Sequence, residues 1–149
     1  MRAVVQRVSS ASVSVDGKIS GEIGLGFLIY LGVGKGDNEA DIEYMARKIG
    51  ALRVFTDSEG KMNLSLNQVN GAILLVSQFT LYGDVRKGNR PAFDASESPD
   101  QARDLYHATA AKLRELGFSV SEGVFQADMR IESVNQGPVT ILLESRKLF

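Results

Sequence analysis

Residues 2–8 and 12–15 alternate or run apolar, with many β-branched side chains. Asp16-Gly17 then supplies the chemistry of a two-residue hairpin, and Lys18-Ile19-Ser20-Gly21-Glu22-Ile23 returns as the partner strand. Residues 27–33 are a continuous apolar run of strand length, the pattern of a strand covered on both faces. Gly34-Lys35-Gly36 breaks that run. Over residues 38–51 the period changes: Ile42, Met45, Ala46, Ile49 and Leu52 recur at helical spacing, and Glu43 and Arg47 are placed to pair on the opposite face. Arg53-Val54-Phe55 reads as a short strand, residues 56–61 as a turn or loop, and residues 72–79 as a second buried strand. A polar loop covers residues 83–98. A second helix follows with clear punctuation: Ser98 as N-cap, Pro99 at the first helical position, Gln101 completing a capping box, and Gly117 as the stop. Its core stripe is Ala102, Leu105, Tyr106, Thr109, Leu113 and Leu116. Strands at 118–126, 129–134 and 139–144 close the chain. The pattern predicts an α/β protein, mostly β, with two helices inserted between strands and a single domain over residues 1–149.

A length of 149 residues favours one hydrophobic core, and a composition of 44% hydrophobic and 23% charged residues is that of a globular protein. No cysteine is present, which removes disulfides, thiolate metal sites and a cysteine nucleophile. The N-terminus carries arginines inside its apolar stretch and reads as a strand rather than a signal peptide. The longest apolar run is too short to span a bilayer, so the expectation is a cytoplasmic protein with no membrane partner. A net charge of −1 and a pI near 5.8 argue against coating of long nucleic acid, so any RNA contact must be local.

Several tempting features fail on their chemistry. Gly32-Val33-Gly34-Lys35-Gly36-Asp37 lies between a strand and a helix, but a dinucleotide fingerprint needs glycine where Asp37 stands. A phosphate loop needs Ser or Thr where Gly36 stands. His107, the sole histidine, falls on the polar face of the second helix with Arg103 and Arg114, so it reads as a solvated surface residue. With no second histidine, neither a Ser-His-Asp triad nor a typical zinc site is expected, and no metal or cofactor is assigned. Asp57 with Glu59, and Asp94 with Glu97, read as solvated loop charges.

Three segments do not read as plain scaffold. Ser77-Gln78-Phe79-Thr80-Leu81-Tyr82 ends an apolar strand with hydrogen-bonding side chains, where sites are often built. Asn135-Gln136-Gly137-Pro138-Val139-Thr140 would alone be a turn before a strand. Arg86-Lys87-Gly88-Asn89-Arg90-Pro91 places three cations within five residues, enough either to hold a phosphate or to remain solvated. Together the first two resemble the signature motifs of the D-aminoacyl-tRNA deacylases. Gln6-Arg7-Val8 and the basic segment are also similar to that family, and the similarity runs essentially end to end.

The resemblance implies mixed sheets in a barrel-like arrangement and a homodimer with its active site at the interface. It also implies an aminoacyl-tRNA acceptor end as substrate. Catalysis would fall to the segment Ser77, Gln78, Phe79 and Thr80. Gly137 and Pro138 would form a Gly-cisPro element that enters the partner's pocket, with Arg7 bracing it. Arg86, Lys87 and Arg90 would grip the tRNA. Two routes are open: attack by the Thr80 hydroxyl, or attack by water with Thr80 positioning and main-chain N–H groups near Phe79 and Thr80 receiving the oxyanion. Two other readings compete: a general Ser/Thr esterase using Ser77 or Thr80, and a non-catalytic module that binds the tRNA acceptor end.

Overall fold

The computed structural model describes residues 1–148. The strand β1 (Arg2–Val15) is the axis of the fold. Along one edge it pairs antiparallel with β3 (Gly26–Gly32) through residues 2–8 and with β2 (Lys18–Ile23) through residues 11–15. The other edge pairs antiparallel with β8 (Arg130–Glu144). Beyond β3 the sheet continues in parallel through β6 (Ala72–Ser77) and β7 (Val120–Glu122). The sheet curls until β2 reaches its far edge. There the Ser121 hydroxyl donates to the Glu22 carbonyl at 3.2 Å, and a Cβ on Gly21 would lie 2.7 Å from the Glu122 carbonyl oxygen. This is the mixed, barrel-like arrangement expected.

Both faces of the sheet are covered. Met1, Ala3, Val5, Phe27, Ile29, Leu31, Ile73 and Leu75 face a larger core shared with α1 (Glu39–Ala51) and α2 (Pro99–Glu115). Val8, Ala11, Val13, Leu28, Leu74 and Val76 face a smaller one inside the curl. In a regular strand, residues three apart lie on opposite faces. Val8 and Ala11 nevertheless face the same core. The alternation breaks at Ser9-Ser10, both exposed, and the register against β8 shifts between Val8 and Ser10. The gap expected between two strands at residues 9–11 is therefore an irregularity within one continuous strand.

Other boundaries also differ from expectation, for identifiable reasons. Asp16 (φ 50) and Gly17 (φ 77) form the hairpin turn as expected. β4 (Arg53–Thr56) gains an unforeseen partner, β5 (Met62–Ser65), with the 57–61 turn organised by Asp57, which accepts from the main-chain N–H of Glu59 and Lys61. β6 stops at Ser77, and Phe79–Tyr82 is a 3-10 turn rather than the end of a strand. Of residues 118–126 only 120–122 pair as a strand, whereas the two strands expected at 129–134 and 139–144 are one. The N-terminus of α1 is closed by an Asn38/Asp41 capping box. At α2, Ser98 occupies the N-cap position but makes no capping bond with its side chain. Its own N–H is taken by the Glu97 carboxylate at 2.7 Å. Glu43 does not pair with Arg47. Lys112 of α2 takes it at 2.6 Å, and Arg47 lies over the Tyr44 ring instead. Leu116 is exposed, and Ala110 fills the buried stripe in its place.

A buried polar cluster pins the chain end. The Asp37 carboxylate, fully buried, receives the Met1 amino group at 2.7 Å, the Gly34 N–H at 2.7 Å and the Arg146 guanidinium at 2.9 Å. Tying three donors to one desolvated carboxylate is what makes its burial tolerable.

Candidate functional site

The site begins where the parallel strands β3 and β6 end. In open α/β sheets that end is where ligands are received. A cavity of about 640 Å³ lies there, lined by Leu31, Val33 and Val76 from the strand ends, by Ser77, Gln78 and Phe79, and by Phe93, Tyr106 and Phe125. Its character is mainly apolar with a few polar edges, as ligand cavities usually are. Tyr106 is fixed in this wall because its hydroxyl, buried, donates to the Leu75 carbonyl at 2.8 Å.

After Ser77 the chain turns sharply. The Gln78 N–H still donates to the Leu31 carbonyl at 2.8 Å, so the last rung of the sheet is kept. The 3-10 turn then closes with Leu81 N–H to the Gln78 carbonyl at 3.3 Å and Gly83 N–H to the Thr80 carbonyl at 2.9 Å. The first residues of a helical turn have no preceding carbonyl to bond. Accordingly the main-chain N–H groups of Phe79 and Thr80 have no partner among the described residues. The Phe79 ring is 58% exposed and meets Phe93 edge-on at 4.9 Å. The Gln78 side-chain amide donates to the Thr80 hydroxyl oxygen. No carboxylate or imidazole is hydrogen-bonded to that hydroxyl among the described residues.

The turn is docked from behind. Arg2 donates to the Leu81 carbonyl at 2.9 Å and stacks over the Tyr82 ring with 4.6 Å to its centroid. Tyr82 is buried against Gly34, where a Cβ would stand 2.5 Å from the phenolic oxygen. Its hydroxyl and the Arg2 Nε have no partner among the described residues. Burial pushes the Tyr82 phenol well above the usual tyrosine range.

The second motif is an excursion rather than a turn between strands. Val8 faces Asn135 and Gln6 faces Thr140, so Arg7 alone stands opposite four residues, Gln136 to Val139. Gln136, Gly137 and Pro138 are exposed, while Val139 is buried in the larger core. The Gly137–Pro138 peptide bond is cis, as the resemblance implied. Gly137 has φ +129, a conformation that side chains disfavour, and a Cβ there would meet Arg7 Nη2 at 2.8 Å. Arg7 bridges two elements: Nε donates to the Gln136 carbonyl at 3.1 Å and Nη1 to the Val54 carbonyl of β4 at 2.6 Å. At the other end the Val139 N–H donates to Asn135 Oδ1 at 3.2 Å, and Asn135 Nδ2 donates to Thr140 Oγ1 at 3.1 Å. Ser77, Gln78 and Phe79 thus line the cavity, but Gly137, Pro138 and Arg7 of the same chain do not.

The loop over residues 83–98 is more ordered by polar contacts than its composition suggests. Arg86 clasps Asp84 through two bonds, 2.9 and 2.6 Å, and this holds the Asp84 carboxyl down to about 2. The basic segment therefore presents Lys87 and Arg90 as its uncompensated cations. Glu97, expected to be a solvated charge, lines the cavity and accepts from the Ser98 and Gly36 N–H groups, which hold its carboxyl below the usual range. His107 is half exposed, as its wheel position indicated, but is not simply solvated: Nδ1 lies 2.9 Å from Glu122, which also takes Arg114 at 2.8 Å. No cluster of three His, Cys, Asp or Glu side chains suited to a metal forms among the described residues. Nor is any helix among them long and apolar enough to cross a membrane. Sequence reasoning missed Phe93, Tyr106 and Phe125 as parts of the cavity. Tyr106 reads as ordinary core, and only the presence of an aromatic in so polar a loop hinted at Phe93.

Comparison with known proteins agrees with the motifs. A D-aminoacyl-tRNA deacylase of Koribacter versatilis (strain Ellin345) is 58% identical over 149 residues, covering all of both chains. Among solved structures, a c-Myc DNA unwinding element binding protein superposes with a TM-score of 0.91 at 42% identity, covering 97% of this chain and 98% of that one. A probable eukaryotic D-amino acid tRNA deacylase superposes with a TM-score of 0.76 at 20% identity, covering 95% and 97%, and shares the fold. The family model for D-Tyr-tRNA(Tyr) deacylase matches residues 4–144, and the chain belongs to that family.

Proposed function

We propose that this chain is a D-aminoacyl-tRNA deacylase that hydrolyses the ester between a D-amino acid and the terminal adenosine of tRNA. The observation that carries the reading is the pair of unengaged N–H groups, Phe79 and Thr80, beside a largely apolar cavity in a member of this family. Water adds to the ester carbonyl carbon, the oxyanion is received by those N–H groups, and the bond to the ribose oxygen breaks as that oxygen takes a proton. The ester is already activated, so donors and a placed water suffice. Thr80 positions rather than attacks, since its oxygen is engaged by Gln78 and no base contacts it. Ser77 and Gln78 shape the cavity floor. Lys87 and Arg90, with Arg86 in part, meet the tRNA phosphates.

Chirality is read by the main chain at Gly137 and Pro138. A gate of backbone atoms at the substrate Cα is indifferent to which side chain is attached, and a residue without a Cβ lets the main chain approach closely. An L substituent would collide there and a D substituent would not; glycyl-tRNA, with no substituent, would be cleaved to some extent. Because Gly137 and Pro138 are exposed and away from the cavity of their own chain, the reading places them in the cavity of a second copy. The working unit is then a cytoplasmic homodimer of single-domain chains. One solved relative is named for DNA binding, but a net charge of −1 and the neutralisation of Arg86 by Asp84 offer no broad basic face for duplex.

The test is deacylation of D-Tyr-tRNA, L-Tyr-tRNA and a simple tyrosine ester. Release from the D form alone is expected. Cleavage of the free ester without tRNA would instead indicate a general esterase, and tRNA binding without release a non-catalytic module.

A further inference from the structure

The four-residue excursion is tied at both ends and by different means. Its first residue, Gln136, is held through its carbonyl by Arg7, which answers to β4. Its last residue, Val139, is held through its N–H by Asn135 of the same strand. Asn135 spends its other side-chain group on Thr140, whose hydroxyl oxygen also receives Gln6 Nε2 at 3.4 Å. Gly137 and Pro138 stand between these ties, outside the strand register. The half-buried Asn135 amide therefore sets where the strand leaves the sheet and where it returns.

We propose that Asn135 is a positioning residue for chiral selectivity: by bridging Val139 and Thr140 at the base of the excursion, it fixes the depth at which the Gly137 main chain meets the substrate Cα. This rests on the reading of Gly137-Pro138 given above. An amide is suited to the task because one end must accept from a main-chain N–H while the other donates to a hydroxyl oxygen. Alanine supplies neither group. Aspartate keeps the acceptor for Val139 and can accept the Thr140 hydroxyl proton once that hydroxyl turns round, so it should preserve the bridge.

The experiment measures kcat and KM of the full-length protein on D-Tyr-tRNA and L-Tyr-tRNA for Asn135→Ala, Asn135→Asp and Thr140→Val, with Gly137→Ala alongside and amide exchange of Val139 followed in each. Asn135→Ala is expected to lower kcat on the D substrate by about tenfold or more with KM within about twofold, because small misplacement in a catalytic site is costly. The D-to-L ratio should fall with it, and the Val139 amide should exchange faster. Asn135→Asp should recover to within about threefold of wild type, and Thr140→Val should fall between. A D-to-L ratio and kcat within about twofold of wild type in folded Asn135→Ala overturns the proposal, as does an aspartate variant as impaired as alanine. Should Asn135→Ala not fold, Thr140→Val carries the test, and an unchanged ratio there overturns it. Gly137→Ala separates the two ideas. If it too keeps the wild-type ratio, the reading of Gly137-Pro138 fails; if it collapses while Asn135→Ala does not, only the role of Asn135 fails.

Discussion

The 3-10 turn at Phe79–Tyr82 and the excursion at Gln136 to Val139 are held in opposite ways. The turn is wedged: Tyr82 is buried against Gly34, Arg2 lies across its ring, and the closing bonds are main chain to main chain. The excursion is suspended. One buried valine, worth roughly 1.5 kcal/mol of apolar transfer, anchors it. The remainder is side-chain hydrogen bonding from Arg7 and Asn135, at about 1 kcal/mol net for each bond. A wedged element resists displacement but tolerates no added volume. A suspended element can be shifted by small changes at its ties with little cost to the fold. A donor pair for an oxyanion suits the first kind of support, and a gate that must be placed finely suits the second.

The sharpest way to break this contrast is Gly137→Ala. A Cβ there meets Arg7 and Val139 while the residue already sits at φ +129. Turnover of D-Tyr-tRNA should fall by about 100-fold, equivalent to about 2.7 kcal/mol, with little change in melting temperature. Rapid-quench turnover paired with a thermal melt checks both halves; a large melting shift with unchanged turnover would reverse the assignment. Gly34→Ala should do the converse. Its Cβ would collide with a wedged ring that cannot swing to solvent, so a loss of about 1–3 kcal/mol in denaturant unfolding is expected.

Tyr82→Phe refines the comparison further. The hydroxyl it removes is buried and unpartnered, so the variant should be more stable than wild type by about 1 kcal/mol, measured by the same unfolding curve. Destabilisation would mean that the hydroxyl is satisfied. His107→Ala lies outside both elements and leaves Glu122 with Arg114, so stability should change by less than about 1 kcal/mol and deacylation should be retained.

The smallest effect concerns the basic loop. Asp84, held down to about 2 by Arg86, contributes its pairing fully above its ordinary value of 3.8 and loses it as pH falls toward about 2. Carboxyl chemical shifts should therefore titrate near 2 in wild type and return toward 3.8 in Arg86→Ala. An Asp84 that titrates normally would free Arg86 for phosphate.

Much of this was legible in the chain. Period and punctuation located both helices and the buried strands, because burial on one or two faces writes itself directly into spacing. The motif at 77–80 stands at a turn beside the cavity, and that at 135–140 at an exposed excursion of β8. What could not be read were effects of tertiary partners. Glu43 bonds to a lysine of another helix, not to the arginine one turn away. Ser98 keeps the N-cap position without a side-chain capping bond, and its own N–H goes to the neighbouring Glu97. The two final strands merge because β1 supplies a continuous edge through the interruption. Asn135 lies within a motif, yet its two-ended bridge depends on Thr140 and Val139 returning to the register, which no local pattern encodes.

The irregularity at Ser9-Ser10 has a consequence for how the chain can vary in length. Val8, ahead of it, and Ala11 and Val13, beyond it, share the smaller core only because β1 carries one residue more than β8 there. Loss of one serine would leave Ala11 two residues after Val8, the spacing of a regular strand, and keep Ala11 and Val13 on that core, whereas an added residue would turn every following side chain to the other face. The 83–98 loop has no such constraint along most of its path, because its side chains answer to no sheet phase. Length changes within this lineage should therefore collect in that loop, while residues 9 and 10 should admit the loss of one residue but no insertion, even though both stretches are polar and exposed.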